Sequence, residues 1–324
     1  MVDLSPALIY IDELVAAGED ARAFRRAARA GHFIRIRRGV YVARAEWDAA
    51  SERERHIART RAVFSQLRTG SPALAAGYSA AALHGVPVRR RWPEHVTLLM
   101  PYRGGGTAEP GVVRTSARWD ERHSALVRGV PSTCLERTLF DVVLLDGFAN
   151  GVATLDAALR SGATAKDALR DFLEEWSPAS GAARCAAALG FADAASESFG
   201  ESLARAIMHA LGFVAPVLQH EFRDGDGSML VDFCWPQLGI AAEFDGKMKY
   251  TRDEFSRGDP AEVVWREKRR EDRLRRHVRT VVRIVWDDLL DPRRLARLLE
   301  EAGVPRSRQR YVHLDTASRV SFGA

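Results

Sequence analysis

Two short apolar segments of this chain carry acids where a strand would bury them. In LVDFCW, residues 230–235, Leu230, Asp232 and Cys234 share one face of a strand and Val231, Phe233 and Trp235 the other. In IAAEFD, residues 240–245, Ala241, Glu243 and Asp245 share a face. A carboxylate inside an apolar strand is costly to bury unpaired. If the two strands pair antiparallel across the short 236–239 connection, Asp232 and Glu243 lie side by side. Adjacent carboxylates repel unless a proton or cation sits between them. Hard oxygen donors favour Mg²⁺ or Mn²⁺ over zinc. Asp232 and Glu243 are therefore the candidate ligands of one such ion, with Asp245 on the same strand and Glu201 on a preceding helix as weaker candidates. A metal held this way activates water and stabilises charge developing on a phosphate, with a lysine assisting. The plain alternatives are two solvent-facing acids at strand edges and, for Glu201, an i, i+4 surface pair with Arg205.

Cations gather near these acids. Only four of the 48 basic residues are lysines, and three of them, Lys247, Lys249 and Lys268, follow the acidic strands. The arginine bias itself reads as a codon-composition effect. Residues 265–283 hold nine Lys/Arg and three acids, a net of +6. A helix this basic suits a phosphate backbone, with Arg269, Arg270 and Arg273 as candidate contacts. A solvated face with internal pairs such as Glu267 with Arg270 is the competing reading.

A second basic region lies near the N-terminus. Residues 21–44 contain eight arginines and no acid. Arg22, Arg25, Arg26 and Arg29 follow i, i+3, i+4, i+7 spacing and line one helix face. Phe24, Ala27 and Ala28 point elsewhere. Arg35 and Arg37 project from one face of a hairpin whose turn is Arg38-Gly39. A recognition helix and a wing need cations so placed to meet phosphates and base edges. A merely solvated arginine face is the alternative.

These residues require particular elements to hold them. Residues 6–16 read as a helix, Asp20 as the N-cap of a second helix to Ala30, and FIRIRRGVYV as a hairpin. Helix, turn, helix and hairpin outline a winged helix-turn-helix over residues 1–45. Residues 46–190 read as an α+β domain. Its helices are expected at 51–67, near Ser79, at 132–144 and at 155–159, and its strands at HVTLLM and VVRTSARW. Residues 191–304 read as α, β, β, α, β, α: a helix at 196–211, the two acidic strands, a basic helix at 264–277, strand TVVRIVW and a helix at 292–302. Residues 305–324 form a tail without periodicity. The fold class is mixed α/β throughout.

The chain has 324 residues, 46% hydrophobic and 28% charged, with net charge +5. That excludes a largely disordered, collagen-like or disulfide-scaffold protein. The mild positive charge favours a polyanionic partner. No run of about 18 apolar residues and no basic leader precede the fold, so neither membrane insertion nor secretion is expected. Cys134, Cys185 and Cys234 are far apart, which suits a reducing cytoplasm and excludes a cysteine-based zinc site.

The first half, through RAARAGHFIRIRRGVYV, YSAAALHGVP, HVTLL, GVVRTSARW and GVPSTCLERTLFDV, resembles the AbiEi family of antitoxins. The resemblance implies a DNA-binding regulator, which in some members neutralises a toxin of nucleotidyltransferase type. SFGES, LVDFCWP, AAEFDGKMKY, WREKRREDRLRR and VVRIVWDDL resemble the PD-(D/E)XK-like domain related to very-short-patch-repair endonucleases. That resemblance implies a restriction-endonuclease-like fold with Glu201 as the helix acid, Asp232 as the central metal ligand and Glu243 as the second acid. The family's lysine, two residues after the second acid, is replaced here by Asp245. Lys247, Lys249 or Lys268 would have to supply that charge. The expected function is double-stranded DNA binding joined to a metal-dependent endonuclease-like domain. The alternative is a non-catalytic antitoxin-like regulator with a degenerate nuclease domain, and an RNA-directed nuclease is a third reading.

Overall fold

The computed structural model describes residues 5–88, 91–101, 109–117, 119–176, 178, 180–246 and 260–307. The chain divides into two compact units, Met1–Leu145 and Asp146–Ala324. Both mix helices with sheet.

The first unit opens with β1 (Ile9–Tyr10), α1 (Ile11–Ala16), α2 (Ala21–Arg29), β2 (Phe33–Arg37) and β3 (Val40–Ala43). The three strands form one antiparallel sheet in the order β1-β3-β2. The first helix is shorter than the expected 6–16, because Ile9 and Tyr10 pair with Tyr41 and Val40 instead of continuing the helical period. Asp20 caps α2 by accepting from the Arg22 N–H at 2.8 Å. Gly39, at φ +78°, makes the hairpin turn that a side chain would strain. Phe24 packs on Phe33 and Tyr41 with centroid separations of 4.5 and 5.3 Å, so α2 is fastened to the hairpin by its aromatic side.

The unit continues with α3 (Arg44–Ala49), α4 (Glu52–Phe64), β4 (Leu74–Ala75), α5 (Tyr78–His84), β5 (Val96–Met100), β6 (Val112–Ser116), β7 (Ser124–Val127) and β8 (Val130–Thr133). Strands β4 to β8 form a five-stranded sheet ordered β6-β5-β4-β8-β7. A buried polar junction ties α4 to it. His56 meets the Pro93 carbonyl at 2.8 Å and Ser79 Oγ at 3.0 Å, and Ser79 Oγ accepts the Thr97 N–H. Burial pushes the His56 imidazole down to about 4.

Helix α6 (Leu135–Arg160) replaces the two separate helices expected there, but it is broken at Gly147, φ +79°. By length and composition it is the one helix among the described residues apolar enough to cross a membrane. Its Leu139, Phe140, Val142, Val143, Val152 and Leu155 are fully buried inside the protein, as in a core helix.

The second unit adds α7 (Lys166–Trp176), α8 (Ala182–Phe191), α9 (Phe199–Ala210), β9 (Val217–Asp224), β10 (Gly227–Trp235), β11 (Ile240–Asp245), α10 (Pro260–Leu274), β12 (Thr280–Val285), α11 (Trp286–Leu290) and α12 (Pro292–Ala302). Its sheet is ordered β12-β11-β10-β9, with β12 parallel to β11 and the other pairs antiparallel. Two strands are expected before α10; among the described residues there are three, because VLQHEFRD pairs along nearly all of β10. Its polar residues hide the strand from an apolar-alternation search. The start of the expected tail is docked: Val214 N–H donates to the Pro305 carbonyl at 3.1 Å, and Phe213 bridges Arg306.

Leu203, Ile207, Phe233, Trp235, Ile240, Ala242, Ile284 and Leu295 make the core of this unit. Gly200 is where α9 comes closest to the sheet. A β-carbon there would stand 2.0 Å from the Phe244 ring. Overpacking of this kind costs about 1–3 kcal/mol. Gly200→Ala should therefore lower the urea midpoint of the second unit's transition by that equivalent, while Gly190→Ala, with open space around it, should not. Equal midpoints for wild type and Gly200→Ala would show that Phe244 does not hold α9 at this distance.

Candidate functional site

Each unit carries one group of the sequence-selected residues. In the first unit Arg22, Arg25, Arg26 and Arg29 are all exposed on α2, opposite the aromatic side. Arg26 approaches Asp20 at 3.8 Å, a pair in which both side chains are mostly exposed and which holds little energy. Among the described residues, no acid pairs with Arg22, Arg25 or Arg29. Arg35 and Arg38 are also exposed, on the hairpin.

Arg37 departs from the sequence reading. The β2–β3 register slips between Arg35 and Arg37. A bulge of this sort breaks the two-residue alternation, so Arg37 does not share Arg35's exposed face. Its side chain is 16% exposed and pairs with Glu109, while its Nε donates to Gln66 at 2.9 Å. Burial, followed by repulsion from Arg114, lowers its pKa. Arg37 fastens the hairpin to the rest of its unit, its charge already met by Glu109.

In the second unit the two acidic strands pair antiparallel as the short connection requires, with Phe233 opposite Ala242 and Trp235 opposite Ile240. Beyond Phe233 the backbone ladder ends. Asp232 Oδ2 takes over and accepts the Phe244 N–H at 2.7 Å. Glu243 is turned to α10, where Arg270 pairs with it and also donates to the Leu230 carbonyl. The expected mutual repulsion of the two carboxylates is thus relieved by a backbone N–H and a guanidinium. Asp245 lies 4.0 Å from Arg283 on β12.

Glu201 has no cationic partner among the described residues. It sits in the first turn of α9 and is buried. Its Oε2 accepts the Glu197 N–H at 2.9 Å and Gln219 Nε2 at 3.1 Å. Burial, with a further contribution from the charge of Asp232, raises its pKa. Gln219 was not anticipated from sequence. It is a non-glycine residue at φ +47° within β9, a conformation that is uncommon and that aims its amide at Glu201. Its strand, β9, has no consistently apolar face by which periodicity would mark it.

The basic helix α10 also divides its cations. Arg270 and Arg273 point to the sheet, Arg273 forking onto Asp224 and reaching the Gly227 carbonyl. This geometry is bidentate, the strongest arginine arrangement, and holds Asp224 down at about 2. Neither arginine is displayed for phosphates in this arrangement. Arg269 and Lys268 are exposed, and Arg269 stacks 4.9 Å from the Trp265 ring. Lys247 and Lys249 lie outside the described residues. Among the described residues, no group of three or more His, Cys, Asp or Glu side chains converges to hold a metal ion. Glu201 and Asp232 are close enough to interact, but Glu243 would have to leave Arg270 to join them.

No family model matches the chain. Over 147 residues it is 38% identical to an uncharacterized protein of Mycobacterium tuberculosis, MT2308 in strain CDC 1551 / Oshkosh and Rv2248 in strain ATCC 25618 / H37Rv. The match covers 45% of this chain and spans about half, 51%, of those relatives. Among solved structures, that of the RV2827C protein from M. tuberculosis is similar at 19% identity and a TM-score of 0.38, over 61% of this chain and 75% of that one.

The environment of Glu201 has a pH consequence. Because its folded pKa is raised above 4.5, the native state keeps this proton longer than the unfolded chain. That contribution to stability is complete below the unfolded value and is lost as pH rises through the folded one. Glu201→Gln, which keeps an amide oxygen to accept both hydrogen bonds, should melt above wild type at pH 7 in EDTA. The difference should shrink as pH falls toward 4.5. A variant that melts below wild type at pH 7 would show that the Glu201 charge is compensated.

Proposed function

We propose that this chain is a duplex-DNA-binding protein of the reducing cytoplasm. Its N-terminal segment acts as a winged helix-turn-helix, and its second unit as a restriction-endonuclease-like fold that holds nucleic acid without cutting it. The observation that carries the reading is the row of four exposed arginines on α2, with Arg35 and Arg38 exposed on the adjoining hairpin. An α-helix with cations along one face is the element that fits a major groove, and phosphate contacts give most of the affinity. The order helix, three-strand meander, helix, parallel strand in the second unit supports the nuclease-like part, and the three cysteines, none in a disulfide, suit the compartment.

Two features favour binding over hydrolysis. Arg270 neutralises Glu243, and an acid, Asp245, stands where the endonucleases that this segment resembles carry lysine. One observation favours the second reading, a metal-dependent endonuclease: the raised, incompletely compensated Glu201 beside Asp232 would be relieved by Mg²⁺ or Mn²⁺. Supercoiled plasmid incubated with the wild type and Mn²⁺ should remain uncut. Nicking by the wild type that disappears in Asp232→Ala would establish the endonuclease instead.

DNA binding itself is read from salt. With about five phosphates neutralised, log K should fall against log salt with a slope of roughly −4 to −5. The double variant Arg25→Ala, Arg29→Ala should bind more weakly and flatten that slope by about 2. Arg37→Ala should lower the melting temperature of the first unit and leave the slope in place. Equal slopes for wild type and the double variant would remove α2 from the interface.

A further inference from the structure

The first unit contains a cavity of about 780 Å³ that the DNA-binding reading does not use. Its walls come from the chain leading into β1, the C-terminal part of α4 with the turn after it, and the β7–β8 turn. Three arginines line it, Arg61, Arg68 and Arg128, together with the rings of Tyr10 and Phe64 and several hydroxyls, Ser71 among them. None of its lining residues among those described is an acid. Arg61 donates to Ser5 Oγ at 2.7 Å and to the Arg128 carbonyl at 3.3 Å, so two of the arginines are built against each other at one wall. Cations collected in a concave, partly apolar site focus positive potential on whatever enters it.

Arg128 adds an independent observation. With Gly129 it forms the two-residue turn between β7 and β8, and both residues are left-handed, at φ +51° and +77°. Such turns favour asparagine or glycine at the first position. An arginine there carries backbone strain, and strain of this kind collects at functional sites. Its Nε is fixed by donating to the Leu83 carbonyl at 2.8 Å.

We propose that this cavity binds a phosphate-bearing small molecule of mononucleotide type, its phosphate among the three arginines and its planar ring against Tyr10 and Phe64. The volume falls within the range of about 300–1,000 Å³ usual for small-molecule sites. The residues involved are separate from the α2 face, so this site stands or falls apart from DNA binding.

The test is isothermal titration calorimetry on the full chain with AMP, inorganic phosphate and adenosine as probes. AMP should bind, inorganic phosphate should bind more weakly, and adenosine should not bind. Arg68→Ala and Arg128→Gly should each weaken AMP binding about tenfold, the equivalent of one lost charge-assisted hydrogen bond. Glycine suits the left-handed turn position, so thermal melting of Arg128→Gly verifies that the loss does not come from unfolding. Should that variant nevertheless melt early, Arg68→Ala, on an exposed turn, decides the matter. The pair Arg25→Ala, Arg29→Ala should bind AMP as wild type does. Failure of AMP to bind, adenosine binding as well as AMP, undiminished affinity in Arg68→Ala, or an equal loss in the α2 pair would each overturn the proposal.

Discussion

The second unit depends on one buried ion pair. Asp156, on the part of α6 that follows the Gly147 break, is fully buried and meets Arg205 of α9 at 2.8 Å. Asp156 also accepts the Asp193 N–H, and Arg205 donates to the Phe191 carbonyl while lying 4.2 Å from the Phe191 ring. Desolvating two charges is expensive, and leaving one of them without its partner costs more, about 3–5 kcal/mol. The chain between them, α7 and α8, is therefore tied at both ends to the same point. Glu201 lies one helical turn before Arg205, so its position over β9 and β10 follows from where this pair fixes α9.

The same side-chain type performs opposed tasks in this molecule. A guanidinium can fork onto a carboxylate and a carbonyl at once, which makes it a good internal strut. Arg205, Arg37, Arg270 and Arg273 serve in that way. Where no acid is within reach, the same group stays in water and keeps its full field, as for Arg22, Arg25 and Arg29 on α2. In a chain whose cations are nearly all arginine, charge counts along the sequence do not separate struts from displayed charges. The partners do, and these are often distant: Arg270 and Glu243 are 27 residues apart, Arg37 and Glu109 are 72 apart.

This explains what was legible in the sequence. The α2 face was readable because the helical period alone decides which side chains go together, and Asp20 and Gly31 mark the ends. The antiparallel register of β10 and β11 was readable because a short connection leaves little choice. Arg37 was not, since one bulged residue reverses a face and no propensity signals it. Nor was the fate of the acids. Their spacing allows a shared ion, but whether Glu243 turns to Asp232 or to α10 is settled by a side chain on another element. Strand β9 escaped because its pairing with β10 is carried by the backbone, while its side chains alternate without a consistently apolar face.

The break in α6 bears on how this chain can be divided. The contact boundary at Leu145/Asp146 falls inside a helix, two residues before the left-handed Gly147. A C-terminal fragment starting at 191 would discard Asp156 and leave Arg205 buried beside Phe191 with no counter-charge. A fragment starting near Gly147 would begin at a point where the helical hydrogen bonding is already interrupted and would keep the pair whole. For dissection by limited proteolysis or by gene truncation, the cut that keeps this pair whole is at a glycine in the middle of the longest helix among the described residues.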